Sequence, residues 1–274
     1  MFARMILATA LVAGCAPGQS TFARPPAAAT AFDRAASDPK ALEIADRVVA
    51  AAGGMDKWNG AKQLRWSVSV TTGKDGVPPV TYDQAWDRWN GRHYGRLHTA
   101  SADIVVMRSV YDAKGTAYAE VGHSKQVIGT ADLERAMRAA AERWELDTTL
   151  VFLPFLLEAP GTKLELAGEV PGEAGAAPLD DLRVTFDPKD PTRTATYHAL
   201  VNRTTNQIER VAITKAGQDE KHPLGYTVGT YIDAAGMKLA TTYANMGFVG
   251  EVITFSNLAA AGEPDDSLFV PSVE

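Results

Sequence analysis

Residues 64–70 read LRWSVSV, and apolar and polar side chains alternate along them without a break. Strict alternation is typical of a β-strand with one buried face, because successive side chains of a strand point to opposite sides. The apolar face of this strand carries Leu64, Trp66, Val68 and Val70. The stretch therefore predicts a half-buried strand, and the segments on either side of it decide what covers that face.

An amphipathic helix pattern precedes the strand. Asp38 followed by Pro39 is typical of a helix start, since the carboxylate accepts from free backbone N–H groups and proline has none to leave unpaired. Apolar residues then recur on one helical face until Gly53-Gly54, where the pattern ends. The next six residues, MDKWNG at 55–60, predict a short turn into the strand.

Short strands separated by turn signals follow residue 70. TTGKDGVPP, residues 71–79, closes a first hairpin, and Asn90-Gly91 predicts a second. Asp112–Gly115 supplies the turn of a third. Neighbouring hairpins of this kind predict an antiparallel sheet.

A second helix is predicted in the middle of the chain. Thr130 offers an N-cap, and the apolar residues between 133 and 144 fall on one stripe. Residues 146–161, LDTTLVFLPFLLEAPG, predict a buried or groove-lining connector, because Pro154 and Pro160 remove backbone hydrogen-bond donors.

Strand patterns resume after an acidic loop rich in Gly, Ala and Pro at residues 168–181, and NRTTN at 202–206 joins two of them in a hairpin. The chain shows about ten or eleven strands and two substantial helices, evenly spaced enough to favour one continuous sheet over two domains. We therefore predict an α+β fold with a single domain over residues 38–274.

The N-terminus carries an export pattern. Arg4 precedes an uncharged, mostly apolar run, Met5–Ala13, that is too short to span a bilayer. Small residues lead into Cys15, the one cysteine of the chain. This pattern resembles the lipobox of bacterial lipoproteins, in which the cysteine carries acyl chains such as palmitate and becomes the new N-terminus.

The lipobox resemblance implies a signal peptide at residues 1–14, then a lipidated N-terminus and flexible tether at residues 15–37. Ala16, in place of an aspartate, implies sorting to the outer membrane of a Gram-negative cell. Anchoring by two or three acyl chains is stable, since each buried methylene contributes about 0.8 kcal/mol. We expect a lipid-anchored outer-membrane protein that faces the periplasm.

The charge balance excludes one class of partner. Loss of residues 1–14 removes Arg4 and no acidic residue, which leaves 26 basic and 33 acidic side chains and a net charge of −7. An acidic surface repels nucleic acid. We therefore expect no nucleic-acid partner.

No pattern for a metal, cofactor or nucleophile is present. The histidines have no metal-ligand spacing, and the chain lacks both a nucleophile elbow and a glycine-rich phosphate loop. We predict no metal site, no cofactor and no catalytic residue. One alternative stays open: Asp83 and Asp87 share a strand face beside Trp86 and Trp89, an arrangement compatible with a glycan or lipid hydrolase.

The chain contains more apolar strand surface than its few helices would cover. Such residues either line a ligand cavity or fill a core, and the sequence leaves both open. The candidates for one concave face are Trp66, Val68, Val70, Trp86, Ile104, Val106, Trp144, Phe152, Phe155, Leu156, Tyr243 and Phe255.

The order of these features resembles the LolA/LolB-like superfamily of outer-membrane lipoprotein-sorting proteins. The resemblance rests on the signal peptide, the helix ending in Gly-Gly, LRWSVSV, WNGRHY at 89–94, the mid-chain helix with its Pro-containing apolar stretch, and PDDSLFVP at 264–271. It implies a curved antiparallel β half-barrel, helices covering the concave face, and a hydrophobic cavity for acyl chains. It also implies a protruding apolar loop, for which VFLPFLL at 151–157 is the candidate.

Taken together, these features predict an envelope lipoprotein that binds a hydrophobic or acylated ligand and is not an enzyme. The alternative is an assembly partner for another envelope protein, with a filled core and a docking site at a sheet edge or at residues 150–160.

Overall fold

The computed structural model describes residues 32–112, 114–122, 124–172, 177–190 and 192–270. Cys15 and the signal peptide lie outside these residues. The helices are α1 (Pro39–Ala51), α2 (Met55–Gly60) and α3 (Thr130–Leu156), with one-turn 3₁₀ helices at Arg34–Ala36 and Asp266–Phe269.

The strands of the first half are β1 (Gln63–Thr72), β2 (Val80–Asp87), β3 (Arg92–His98), β4 (Asp103–Ser109), β5 (Gly115–Val121) and β6 (Ser124–Val127). Those of the second half are β7 (Thr162–Val170), β8 (Leu179–Phe186), β9 (Thr196–Asn202), β10 (Ile208–Thr214), β11 (Leu224–Val228), β12 (Tyr231–Ala234), β13 (Met237–Ala240), β14 (Thr242–Asn245) and β15 (Glu251–Ala261).

Thirteen of these strands form one open antiparallel sheet in the described part of the chain. Their order is β6-β5-β4-β3-β2-β1-β15-β14-β11-β10-β9-β8-β7, and β12 pairs with β13 as a separate hairpin. Since β6 and β7 stand at opposite ends of this order, the sheet is not closed. The predicted α+β open half-barrel fits this architecture, but the predicted ten or eleven strands are too few.

The first helix and first strand match their predictions. The Asp38 side chain accepts from the N–H groups of Lys40 and Ala41, and α1 gives way to Gly53 and Gly54 at positive φ. In β1 the residues Leu64, Trp66 and Val68 are buried. The predicted turn at 55–60 was wrong, however: this segment forms α2, whose Trp58 is buried in the core.

Helix α3 is much longer than predicted. It begins after Gly129, so Thr130 is its first residue and not its cap, and it continues through the segment predicted as a connector. Pro154 lies inside it and has no N–H to offer the carbonyl of Leu150 four residues earlier. The hydroxyl of Tyr243 donates to that carbonyl instead. The helix therefore tolerates its proline because a sheet residue replaces the missing donor.

Residues 32–37, which the sequence places in the tether, contact the domain. Arg34 pairs with Asp46 of α1 at 2.8 Å, and Phe32 packs against the core. The N–H of Asp38 donates to the carbonyl of Leu164 at 2.9 Å, and the N–H of Leu164 donates to Ser37 Oγ at 3.0 Å. These contacts attach the incoming chain to strand β7.

Among the described residues, no helix combines the length and the apolar character that crossing a membrane requires.

We expect Tyr243→Phe to lower the free energy of unfolding by about 1–3 kcal/mol, because the buried Leu150 carbonyl then has no donor. Urea unfolding measures the change. Pro154→Ala restores an N–H to that carbonyl, so Tyr243→Phe should cost clearly less in a Pro154→Ala background.

The matched control is Tyr226→Phe on the neighbouring strand β11. The Tyr226 ring is equally buried, but its hydroxyl makes no hydrogen bond to a described residue, so little change is expected. An equal loss from Tyr243→Phe with and without Pro154 would contradict this account of the helix.

Candidate ligand cavity

Most of the predicted lining residues fill a core and do not line an empty space. Nine of them are buried in one contiguous cluster, and Val70 packs against it. The nine are Trp66, Val68, Trp86, Trp144, Phe152, Phe155, Leu156, Tyr243 and Phe255. Trp58, which sequence reasoning missed, stacks on Phe155 with ring centroids 5.0 Å apart and planes 4° from parallel.

Ile104 and Val106 differ from the other ten, because they line a partly open cavity of about 90 Å³ between α3 and strands β2–β4. Its walls are Tyr82, Gln84, His93, Gly95, Leu97, Ile104, Val106, Ala136, Ala139, Ala140 and Arg143. The cavity is therefore predominantly apolar, with three polar side chains in its wall.

The sheet register arranges the floor of the cavity in three rows. Tyr82, Leu97 and Ile104 lie side by side in the first row, and Gln84, Gly95 and Val106 in the second. The third row is Trp86, His93 and Arg108, of which His93 alone lines the cavity. The first row is half-buried and the other two are buried, so the cavity deepens from the first row to the third.

Two features keep this space empty. Gly95 contributes no side chain to the middle of the floor, and a Cβ there would lie 3.3 Å from the Cε1 of His93. Opposite it, α3 presents alanines at positions 136, 139 and 140, which follow the spacing of one helical face. Small residues on both sides leave a gap where the neighbouring tryptophans leave none.

A buried carboxylate organises the polar side of the cavity. Asp147 of α3 accepts from Trp66 Nε1 at 3.3 Å and from the Nε2 of Gln84, and it forms an ion pair with Arg143 one helical turn away. Asp147 is fully buried. Its partners therefore connect α3 with both β1 and β2.

The same network sets the protonation of His93. Because Gln84 donates its amide to Asp147, its Oε1 faces the Nε2 of His93 at 2.9 Å and needs a donor there. The proton of the neutral ring is thus assigned to Nε2. Burial, reinforced by the positive charge of Arg108, lowers the pKa of His93 well below 6.5.

Arg108 is a buried cation with no acidic partner within ion-pair distance in the described part of the chain. Its guanidinium lies 5.9 Å from the ring centroid of Trp144, and that of Arg193 lies 5.5 Å from the same centroid. Burial lowers the pKa of Arg108 to about 10, which leaves it charged at neutral pH.

A wider groove of about 840 Å³ runs along β7–β9, but polar residues such as Lys163, Thr185 and Asp187 make up much of its wall. It lacks the apolar enclosure that an acyl chain needs.

The two acids of the hydrolase alternative, Asp83 and Asp87, each bind other partners in the structure. Asp87 is fully buried, pairs with Arg92, and accepts from the N–H groups of Trp89 and Asn90 in the hairpin turn. Asp83 accepts from Ser67 and pairs with His98. The two carboxylates thus serve separate structural contacts. No group of three or more potential metal ligands occurs among the residues described.

The segment 151–157 is not a protruding loop, because it forms the buried end of α3 and the residue after it. Exposed apolar side chains occur instead at Met246, Phe248 and Val249 in the β14–β15 turn. The docking site proposed from the sequence at 150–160 is therefore largely inaccessible.

Sequence reasoning missed the polar residues of the site and both small-residue surfaces. Arg143 and Asp147 are four apart on a helix, and three alanines share a neighbouring face. The sequence shows these spacings, but it does not show which strands the two helix faces contact.

We expect Asp147→Leu to cost about 3–5 kcal/mol of unfolding free energy, since it leaves the buried Arg143 unpaired. Adding Arg143→Met should restore a large part of the lost free energy of unfolding, as measured by urea unfolding. The control is Asp132→Leu, which breaks the exposed Asp132–Arg135 pair of the same helix and should cost less than about 1 kcal/mol. A double variant no more stable than Asp147→Leu would contradict the role of the ion pair.

His93 should make stability depend on pH. Below pH 6.5 the unfolded chain takes up a proton that the folded protein excludes, so this contribution is complete above pH 6.5 and is lost as the pH falls. The expected slope averages about 1 kcal/mol per pH unit between pH 6.5 and 5.5 and approaches about 1.4 at lower pH. In His93→Gln, the free energy of unfolding should depend less on pH between about pH 6.5 and 5.5. An unchanged dependence would contradict a neutral, buried His93.

The solved structures that are similar to this chain include the following three. A DUF1329 family protein from Desulfovibrio piger has 14% sequence identity and a TM-score of 0.48, and the alignment covers 86% of this chain and 99% of that protein. A LolA superfamily protein from Nitrosomonas europaea has 11% identity and a TM-score of 0.49, and the alignment covers 84% of this chain and 97% of that protein. A Vibrio parahaemolyticus domain named for outer-membrane lipoprotein sorting has 10% identity and a TM-score of 0.45, and the alignment covers 84% of this chain and 96% of that domain.

One of these structures is named as a member of the superfamily that the sequence resembles. No protein-family model and no curated protein matches the chain.

Proposed function

We propose that this protein binds the acyl chain of an amphiphile in the cavity beneath α3. One observation carries the proposal: a partly enclosed space walled by Leu97, Ile104, Val106 and three alanines, next to a core that is otherwise filled. Apolar enclosure with a few polar groups is the usual composition of a small-molecule site.

The cavity is small in the described conformation. Its volume of about 90 Å³ lies below the range of about 300–1,000 Å³ that is usual for ligand pockets. Binding therefore requires α3 to move. Residues 130–143 are exposed or partly exposed, whereas residues 147–156 are buried in the core. The first half can lift while the second half stays in place.

Transfer of such a ligand needs no chemical energy source. Each methylene moved from water to an apolar site contributes about 0.8 kcal/mol, so small differences in fit, added over a chain, set the direction of transfer. This mechanism fits a role in lipid or lipoprotein trafficking, with binding and release in place of catalysis.

The proposed location is the periplasmic face of the outer membrane. The support is the lipobox-like sequence ending at Cys15, whose acyl chains would anchor the protein while the residues before Phe32 span the distance to the domain. An envelope protein partner is the alternative role. The buried position of 150–157 leaves sheet edges or exposed loops as its docking sites.

The test is binding of N-phenylnaphthylamine, a neutral apolar fluorophore, to the purified protein. We expect an increase in fluorescence on binding, and Ala140→Leu should weaken binding by about tenfold or more because the added isopropyl group enters the cavity.

Ala131→Leu makes the same substitution at an exposed position of α3 and should leave the affinity unchanged. No binding by the unmodified protein, or equal binding by both variants, would contradict an acyl-chain site at this cavity.

A further inference from the structure

Two buried guanidinium groups, one in the wall of the cavity and one next to its floor, contain donors that no described protein group uses. Arg143 Nε and Arg108 Nη1 have no hydrogen-bond partner among the described residues. Buried polar groups are nearly always paired, and each unpaired one needs an explanation. Two unused guanidinium N–H groups point to an acceptor that the protein itself does not supply.

The local charges lead to the same conclusion. Arg143 and Asp147 neutralise each other, and His93 is neutral. Arg108, opposite His93 in the β3–β4 register, then carries a positive charge with no ion-pair partner among the described residues. Since an isolated buried charge is costly, the surroundings of the cavity are suited to one negative charge.

We infer that the ligand is a free fatty acid, or another single-chain monocarboxylate, whose carboxylate enters first and accepts from Arg143 while Arg108 balances its charge. This inference rests on the function proposed above and names the class of ligand.

The burial of the floor fixes the orientation. His93, in the third row, is fully buried, whereas Leu97 and Ile104 in the first row are half-exposed. A ligand whose head lies among Arg143, Gln84 and His93 therefore leaves its tail towards the half-exposed side chains of Leu97 and Ile104.

This arrangement discriminates by the size and charge of the head. A carboxylate is small enough to pass beneath α3 and has the acceptors that Arg143 lacks. The ester of a phospholipid or of an acylated protein is neutral at the carbonyl and is followed by a bulky group, so it cannot enter head first. The site should thus prefer free acids to esters of the same chain.

The experiment compares cis-parinaric acid with its methyl ester, two fluorescent probes that share one chain. At about pH 8, where the carboxyl group is ionised, the acid should bind about tenfold tighter or more, as expected for charge-assisted hydrogen bonds. The ratio of the two affinities is the readout, because a merely structural defect weakens both probes together.

Two variants test the residues. Arg108→Gln leaves the Arg143–Asp147 pair intact, and Arg143→Gln with Asp147→Asn removes both charges of that pair together. Each should bring the ratio close to one while the ester still binds. Arg138→Gln removes an exposed cation from the same helix and should leave the ratio unchanged.

The outcomes separate the two proposals. Equal binding of acid and ester by the unmodified protein, or an unchanged ratio in Arg108→Gln, overturns the carboxylate site and leaves the acyl-chain function standing. Failure of both fluorescent probes and of N-phenylnaphthylamine to bind overturns both proposals. Arg108→Gln keeps the test decisive even if the double variant does not fold.

Discussion

The buried carboxylate of Asp147 holds helix α3 in register on the sheet. Its partners come from β1, from β2 and from α3 itself, so three separate segments meet at one side chain. A shift of α3 by one turn, about 5.4 Å, would take the carboxylate away from Trp66 and Gln84. The aromatic core and the position of the alanine face both follow from this register.

Much of the fold follows from local patterns, and the exceptions have non-local causes. The alternation of LRWSVSV and the Asp38 cap are properties of neighbouring residues, and both were predicted correctly. Pro154 reads as a helix breaker until Tyr243, 89 residues later in the sequence, is seen to bond the free carbonyl of Leu150. MDKWNG reads as a turn until Trp58 is seen stacked on Phe155.

The site was less predictable than the fold for a related reason. Alternation tells which strand residues share a face, but it does not tell which of them meet large side chains from the covering helix. Trp66 and Trp86 face aromatic rings and become core, whereas Ile104 and Val106 face alanines and border a space. That difference depends on where α3 crosses the sheet, which is set by Asp147 and not by the strands.

The attachment of residues 37 and 38 to Leu164 has a consequence for self-association. An unclosed sheet has two edges, and unpaired peptide groups at an edge are a template for pairing with another chain. At β7 the incoming chain occupies the N–H and carbonyl of Leu164. At the other edge, β6 is only four residues long and carries Lys125, and short, charged edge strands resist such pairing. The segment that leads into the domain therefore also protects the β7 edge of the sheet from pairing with another chain.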